Sequence, residues 1–148
     1  MNRNIHSLLL GTVCDSIGNV IPRPIGQAVE HTSPQESVAV GEMGVAIRFE
    51  GMIGVRMVLD GERSTFSNIS EVLFGMRMEG EMLDSCVGEI ANFIAGGTAT
   101  LLGNHGIAAN ITPPTLLDGE GTIGRCESGL ALNIEEIGNM RVLLQGGY

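Results

Sequence analysis

Three polar residues in the middle of the chain stand at helical spacing: Ser85, Glu89 and Asn92. At about 100° per residue, positions i, i+4 and i+7 are neighbours on one helix face. A carboxylate and a carboxamide three residues apart cannot perform covalent catalysis by themselves. The amide can hold a water in line with a phosphoryl group, and the carboxylate can anchor a cation. The spacing therefore predicts a positioning site that acts on a group brought by another molecule.

The helix that must carry these residues is predicted from Glu81 to Gly103, with an apolar stripe on its other side. On or beside the polar face stand Gly88, Gly96 and Ala99, where a solvated helix would usually carry Lys, Glu or Gln. These small residues, together with Ser85, predict a surface that a bulky partner can approach. On the residues alone, a solubilising glutamate and an ordinary surface asparagine remain the alternative.

Composition and charge narrow the classes of function. The 148 residues are 43% hydrophobic and 17% charged, which predicts one globular domain over residues 1–148. The net charge is −9, and all eight basic residues are arginine. Without a basic run, and with 3% aromatic residues, nucleic-acid binding is not expected. The absence of lysine excludes a P-loop lysine or a Schiff base, so positive charge for phosphate chemistry would have to come largely from a partner.

Other kinds of site find little support. The three histidines lie far apart, with no second ligand at metal-binding spacing. No apolar run approaches the roughly 18 residues that span a bilayer. Three cysteines without CxxC spacing argue against a disulfide framework, so a cytoplasmic protein is expected. Met76, Met78 and Met82 could form an interaction surface, although a packed core is the default expectation for methionine.

The period of the hydrophobic residues separates helices from strands along the chain. Helical spacing predicts helices at 5–19, 62–74 and 81–103, the second closed by Gly75. Residues 22–36 contain three prolines and are predicted to form a loop. Alternation predicts two hairpins and an extended segment, as follows: 45–49 with 53–59, turning at Glu50-Gly51; 111–117, interrupted by Pro113-Pro114; and 130–134 with 140–144.

The two hairpins repeat each other at a constant offset of 85 residues. Six positions are identical between the copies: Gly44, Ala46, Glu50, Arg56, Leu59 and Gly61 with their partners. The first and central helices also match, Thr12-x-x-x-Ser16-x-x-Asn19 against Ser85-x-x-x-Glu89-x-x-Asn92. Chance explains the hairpin match poorly and the helix match fairly well. The repeat predicts an α+β domain of two pseudo-two-fold halves, each a long helix and a strand pair.

The motif Ser85-x-x-x-Glu89-x-x-Asn92, followed about twenty positions later by Pro113-Pro114, resembles the signature of the CheC/CheX/FliY phosphatases of bacterial chemotaxis. The fuller strings at 87–96 and 111–115 are similar to the CheX branch. The similarity extends over nearly the whole chain. It implies a CheC-like α+β fold, in which long helices pack beside an antiparallel sheet.

The resemblance also implies a function, a partner and roles for the site residues. The expected reaction is hydrolysis of the aspartyl phosphate on a response regulator, CheY in chemotaxis. Asn92 would orient the attacking water, Glu89 would pair with a lysine of the regulator, and Ser85 would have an accessory role. The regulator would bring Mg²⁺, so no cofactor is expected in this chain. The alternative is a non-catalytic module of the same fold that binds a response regulator or acts as an adaptor.

The CheX branch is typically a homodimer with one active helix in each chain. Ser16 stands where a second active helix would carry its glutamate, which predicts a single site. Asn19 remains at the matching asparagine position and leaves a vestigial first site open.

Overall fold

A computed structural model describes residues 3–146, which form three helices and seven strands. In chain order the elements are α1 (Arg3–Val20), β1 (Ile25–His31), β2 (Met43–Gly51), β3 (Val55–Gly61), α2 (Arg63–Phe74), α3 (Gly80–Asn104), β4 (Ala109–Ile111), β5 (Thr115–Leu117), β6 (Ser128–Ile134) and β7 (Gly138–Gly146). The predicted helices are confirmed to within two residues. Gly75 ends α2 in the left-handed conformation, as its position predicts.

The strands form one antiparallel sheet in the order β1-β6-β7-β3-β2-β4, and β5 also pairs with β2. The main core lies between the helices and one sheet face, where β3 contributes Val55, Met57 and Leu59. Alternate residues of the same strands point to the other face. There Val58 and Leu143 join a small second cluster. The α+β class with long helices beside an antiparallel sheet is confirmed.

The centre of the sheet carries the predicted two-fold relation. β3 pairs with β7 so that Arg56 lies opposite Gln145, and Asp60 lies opposite Arg141. At the offset of 85 residues, Arg56 corresponds to Arg141 and Asp60 corresponds to Gln145. A two-fold axis between the strands therefore interchanges the two pairs. Both arginines bind across the strands: Arg56 donates to the Gln145 amide, and Arg141 donates two hydrogen bonds to the buried Asp60 carboxylate. The repeat is therefore structural in β3 and β7.

The outer strands of the two hairpins depart from the constant offset. In the first hairpin Gly44 lies opposite position 60. An offset of 85 would place its counterpart Gly129 opposite position 145, but Gly129 lies opposite Leu143, two residues earlier. The reason is the length of the connection between the strands. Five residues, 50–54, lie between the final paired residues of the first hairpin, and three residues, 135–137, lie between those of the second. A shift by two keeps every side chain on its original sheet face.

Two sequence predictions were wrong in this region. The segment 22–36 is not all loop, because Ile25–His31 forms the edge strand β1 along β6. Its side chains are almost all exposed, so it has no buried face to produce hydrophobic alternation. The first hairpin turns two residues later than predicted, since β2 continues to Gly51, β3 begins at Val55 and the loop is residues 52–54.

The two long helices pack against each other and come closest where α3 has a glycine. A Cβ built at Gly97 of α3 would lie 2.5 Å from Ser16 Oγ of α1. Ser16 is fully buried and donates a 2.7 Å hydrogen bond to the Ile94 carbonyl. The match of Ser16 with Glu89 in the helix repeat is therefore not structural, because Glu89 is exposed. Ser16 lies inside the helix contact and does not have the exposed position that Glu89 has on α3, whereas Asn19 is exposed.

The contact predicts opposite effects for two adjacent glycines. Gly97→Ala should lower the free energy of unfolding by about 1–3 kcal/mol, because its methyl group overlaps Ser16. Gly96→Ala should raise it by about 0.5–1 kcal/mol, since nothing lies within 4 Å of that Cβ and alanine favours helix. Urea denaturation of both variants gives the comparison. Equal stabilities would contradict the proposed closeness of α1 and α3.

Candidate functional site

α3 presents the predicted polar residues on its outer face. Its inner face is fixed on the sheet by buried Leu83, Val87, Ile90 and Ile94. Ser85 and Glu89 are exposed, and Asn92 is half-buried beside them. The helical spacing therefore brings together the residues that were singled out from sequence.

Glu89 and Asn92 are in contact, but loosely. Asn92 Nδ2 donates to Glu89 Oε1 over 3.4 Å, near the upper limit for a hydrogen bond. Among the described residues no arginine or histidine forms an ion pair with Glu89. The Asn92 carbonyl oxygen and most of the Glu89 carboxylate are thus available to a molecule that approaches α3.

Gly88 lies beside this pair and faces another part of the same chain. A Cβ built there would lie 3.1 Å from Pro114 Cγ, so the missing side chain admits the proline. The connection that carries Pro114 is fastened to β2, where Arg48 and Thr112 exchange two 3.0 Å hydrogen bonds. Gly88 and Pro114 therefore hold the turn of α3 that carries Glu89. The space expected beside Gly88 is occupied by Pro114.

The other small residues of the predicted docking surface differ in accessibility. Gly96 has open space around it, with nothing within 4 Å of an added Cβ. Ala99 is half-buried, and Ser85 is exposed. The open part of the surface therefore runs from Ser85 past Glu89 to Gly96.

The start of α3 is anchored to α2. Arg63 Nη2 donates to Asp84 Oδ1 at 2.9 Å and to the Gly80 carbonyl at 3.1 Å. Both side chains of this ion pair are more than a third exposed, so it contributes little to stability. Its effect is to fix the first turn of α3 relative to α2.

Large apolar side chains are exposed near the polar pair. The sequence offered Met76 and Met82 as an interaction surface only as the alternative to a packed core, and Phe74 and Phe93 were not singled out. Phe93 follows Asn92 directly and is exposed, in contact with Phe74 at the end of α2. Met76 and Met82 are exposed too, so the expectation of a packed core was wrong for both. Exposure of Met82 and Phe93 was detectable in principle, because both fall on the helix stripe of Glu89.

Cys86 lies one residue from Ser85 and is half-buried. Burial raises the pKa of its thiol above the usual value, and the nearby Glu89 carboxylate raises it further. A thiol in this environment stays protonated at neutral pH and is a poor nucleophile. Catalysis through Cys86 therefore has no support, and all three cysteines are free.

Residues 3–146 contain neither a cluster of metal ligands nor a helix that could span a membrane. In that range no three His, Cys, Asp or Glu side chains are grouped closely enough to hold a metal ion. None of the described helices combines the length and the apolar character that crossing a membrane requires. The polar pair on α3 is thus the strongest candidate site.

Comparison with protein families gives one match. The family model described as chemotaxis phosphatase CheX matches residues 43–140, or 98 of the 148 residues. The matched range contains α3, Pro113-Pro114 and most of both hairpins. No curated protein matches the chain.

Solved structures share the fold at low sequence identity. The chemotaxis protein CheX of Desulfovibrio desulfuricans has a TM-score of 0.72 at 14% identity, over 96% of this chain and 98% of that one. A CheC-like protein of Shewanella oneidensis has a TM-score of 0.70 at 20% identity, over 97% and 98%. The CheX–CheY–BeF₃–Mg²⁺ complex of Borrelia burgdorferi gives 0.65 at 18% identity, over 93% and 94%. At these identities the likeness establishes the fold alone.

The environment of Cys86 provides a test of the site geometry. Glu89→Gln removes the negative charge that disfavours the thiolate, so alkylation of Cys86 at pH 8 should become faster. The increase should not exceed about threefold, because charges near the surface interact weakly through water. Peptide mass spectrometry after timed iodoacetamide treatment measures the rate at Cys86 alone. Asn92→Ala is the control and should leave it unchanged; no difference between the two variants would place Glu89 away from Cys86.

Proposed function

Because the chain belongs to the chemotaxis phosphatase CheX family, we propose that it hydrolyses the aspartyl phosphate of a CheY-like response regulator. The observation that carries the proposal is the exposed Glu89–Asn92 pair on α3. The pair has no cation and no grouped metal ligands among the described residues. A phosphorylated receiver domain would supply what this face lacks.

Asn92 is proposed to position the attacking water. Its Nδ2 is turned toward Glu89, which leaves the carbonyl oxygen free to accept a hydrogen bond from water. The water oxygen forms a bond to phosphorus as the bond from phosphorus to the aspartate oxygen breaks. The aspartate leaves as a carboxylate, and the water's protons go to solvent and to the released phosphate. Asn92 contributes orientation and needs no charge.

Glu89 is proposed to pair with a lysine of the receiver. An exposed carboxylate that has no cationic partner among residues 3–146 loses little by moving to a new cation. The 3.4 Å contact with Asn92 is weak enough to break when the receiver docks. Mg²⁺ would belong to the receiver and lower the negative charge on its phosphoryl oxygens. The reaction is placed in the cytoplasm, where three free cysteines are expected to stay reduced.

A homodimer is also proposed, and the edge strand β1 supports it. Six of its seven residues pair with β6 on one side, and Val29 is exposed on this strand. The other edge is less suited to pairing, because β4 and β5 are three residues each and are separated by Pro113-Pro114. Light scattering should give twice the chain mass of 15.6 kDa. A monomer at micromolar concentration would contradict the dimer and leave the proposed chemistry in place.

The proposed mechanism predicts a large loss of activity in Asn92→Ala. Release of phosphate from a phosphorylated CheY-type receiver should slow by about 10²-fold or more, the size found when other groups that stabilise a transition state are removed. Glu89→Ala should also be slow, while Asn19→Ala on α1 should match the wild type. The measurement is the rate of phosphate release from several phosphorylated receivers of the same organism.

The same assay separates the enzyme from a non-catalytic binding module. Wild-type rates in Asn92→Ala and Glu89→Ala would refute the mechanism. Receiver binding without any shortening of the phosphoryl lifetime would favour the module instead.

A further inference from the structure

Three exposed apolar side chains lie next to the Glu89–Asn92 pair. They are Phe74 of α2 and Met82 and Phe93 of α3, whose exposed fractions are 39%, 56% and 47%. The rings of Phe74 and Phe93 are 6.2 Å apart between centroids and tilted by 41°. We call these three residues the apolar collar. A surface of this kind, with two aromatic rings and a methionine, is typical of the central part of protein interfaces.

Two members of the collar, Met82 and Phe93, lie on the same stripe of α3 as the polar pair, and Phe74 of α2 contacts Phe93. Met82 is seven residues before Glu89 and Phe93 is four residues after it, and both separations return to almost the same direction around a helix. Phe93 is next to Asn92, and Met82 is about 15 Å away along the helix, so both fall within the footprint of a protein domain that docks with its phosphoryl group at Asn92. Polar contact and apolar contact occur together on this face.

We propose that the apolar collar is the docking contact for the receiver domain, and that it sets affinity and not the rate of hydrolysis. The inference depends on the proposed function for the identity of the partner. It goes further by assigning recognition to Phe74, Met82 and Phe93, residues with no part in the chemistry. Methionine adapts its shape to different neighbours, which suits a surface that binds another protein reversibly.

Charge favours a receiver over a second copy of this chain as the occupant. Glu89 has no cationic partner among the described residues, and the chain carries a net charge of −9. Two copies that met through this face would bring two Glu89 carboxylates together, and the arginines near the start of α3, Arg63 and Arg77, are already paired with Asp84 and Glu79. A receiver with a cation beside its phosphoryl group has the complementary charge.

The experiment compares one chemical change at two methionines. Met82→Gln should raise the KM for a phosphorylated CheY-type receiver about tenfold with kcat unchanged, because it removes apolar contact area but leaves Asn92 and Glu89 in place. Met52→Gln is the matched control, since Met52 is 64% exposed. Met52 forms hydrogen bonds with Ala108, beyond the far end of α3 from Met82. The Met52→Gln variant should therefore have the wild-type KM. Phe93→Ser should behave as Met82→Gln, and Met82→Leu should retain the wild-type KM.

Direct binding separates this inference from the proposed reaction. Calorimetry with receivers loaded with beryllofluoride and Mg²⁺ should show the same tenfold weakening for Met82→Gln. A wild-type protein that binds these receivers but does not hydrolyse their phosphate would refute the reaction and leave the docking contact standing. Equal affinities for Met82→Gln and Met52→Gln would overturn the docking contact. So would a change from dimer to monomer in Phe93→Ser, because the collar would then be an interface between copies.

Discussion

The close contact between Gly97 of α3 and Ser16 of α1 determines how the rest of the site is arranged. Because Gly97 has no side chain, α1 reaches α3 and the serine hydroxyl bonds to the Ile94 carbonyl. On the other side of α3, Pro114 approaches Gly88 in the same manner. With the sheet beneath, α3 is held on three sides and keeps one narrow face open to solvent. Glu89 stands on that face.

This contact also explains why a duplicated domain has an unequal pair of helices. The central strands retain the two-fold relation, with Arg56 and Gln145 repeated by Arg141 and Asp60. The helices above them do not, because Ser16 fills the contact with α3. A glutamate at position 16 would have to be buried against Gly97 with no cation beside it, which is costly. The packing of α1 on α3 therefore excludes an exposed carboxylate at position 16.

Sequence periodicity predicted the features of the structure that depend on local backbone geometry. The three helices and both hairpins have buried faces, so their hydrophobic residues repeat at the helix or strand period. The motif at Glu89 and Asn92 was found for the same reason, because spacing along a helix fixes direction around it. β1 was missed because its side chains are exposed, and the burial of Ser16 was missed because it depends on another helix. Met82 was misassigned because methionine occurs both in cores and at interfaces.

The exposed state of the pair has a consequence for how such a site can act. In water an asparagine and a glutamate exert weak fields, and a water molecule held by Asn92 exchanges freely. A partner that covers the collar of Phe74, Met82 and Phe93 would remove solvent from the same stripe of α3. The hydrogen bond from Asn92 to the attacking water and the ion pair of Glu89 would then form in a drier environment, where both are stronger. The drier environment belongs to the docked complex as a whole. The collar determines how readily that complex forms, so losing one apolar side chain lowers affinity and leaves the rate within the complex unchanged.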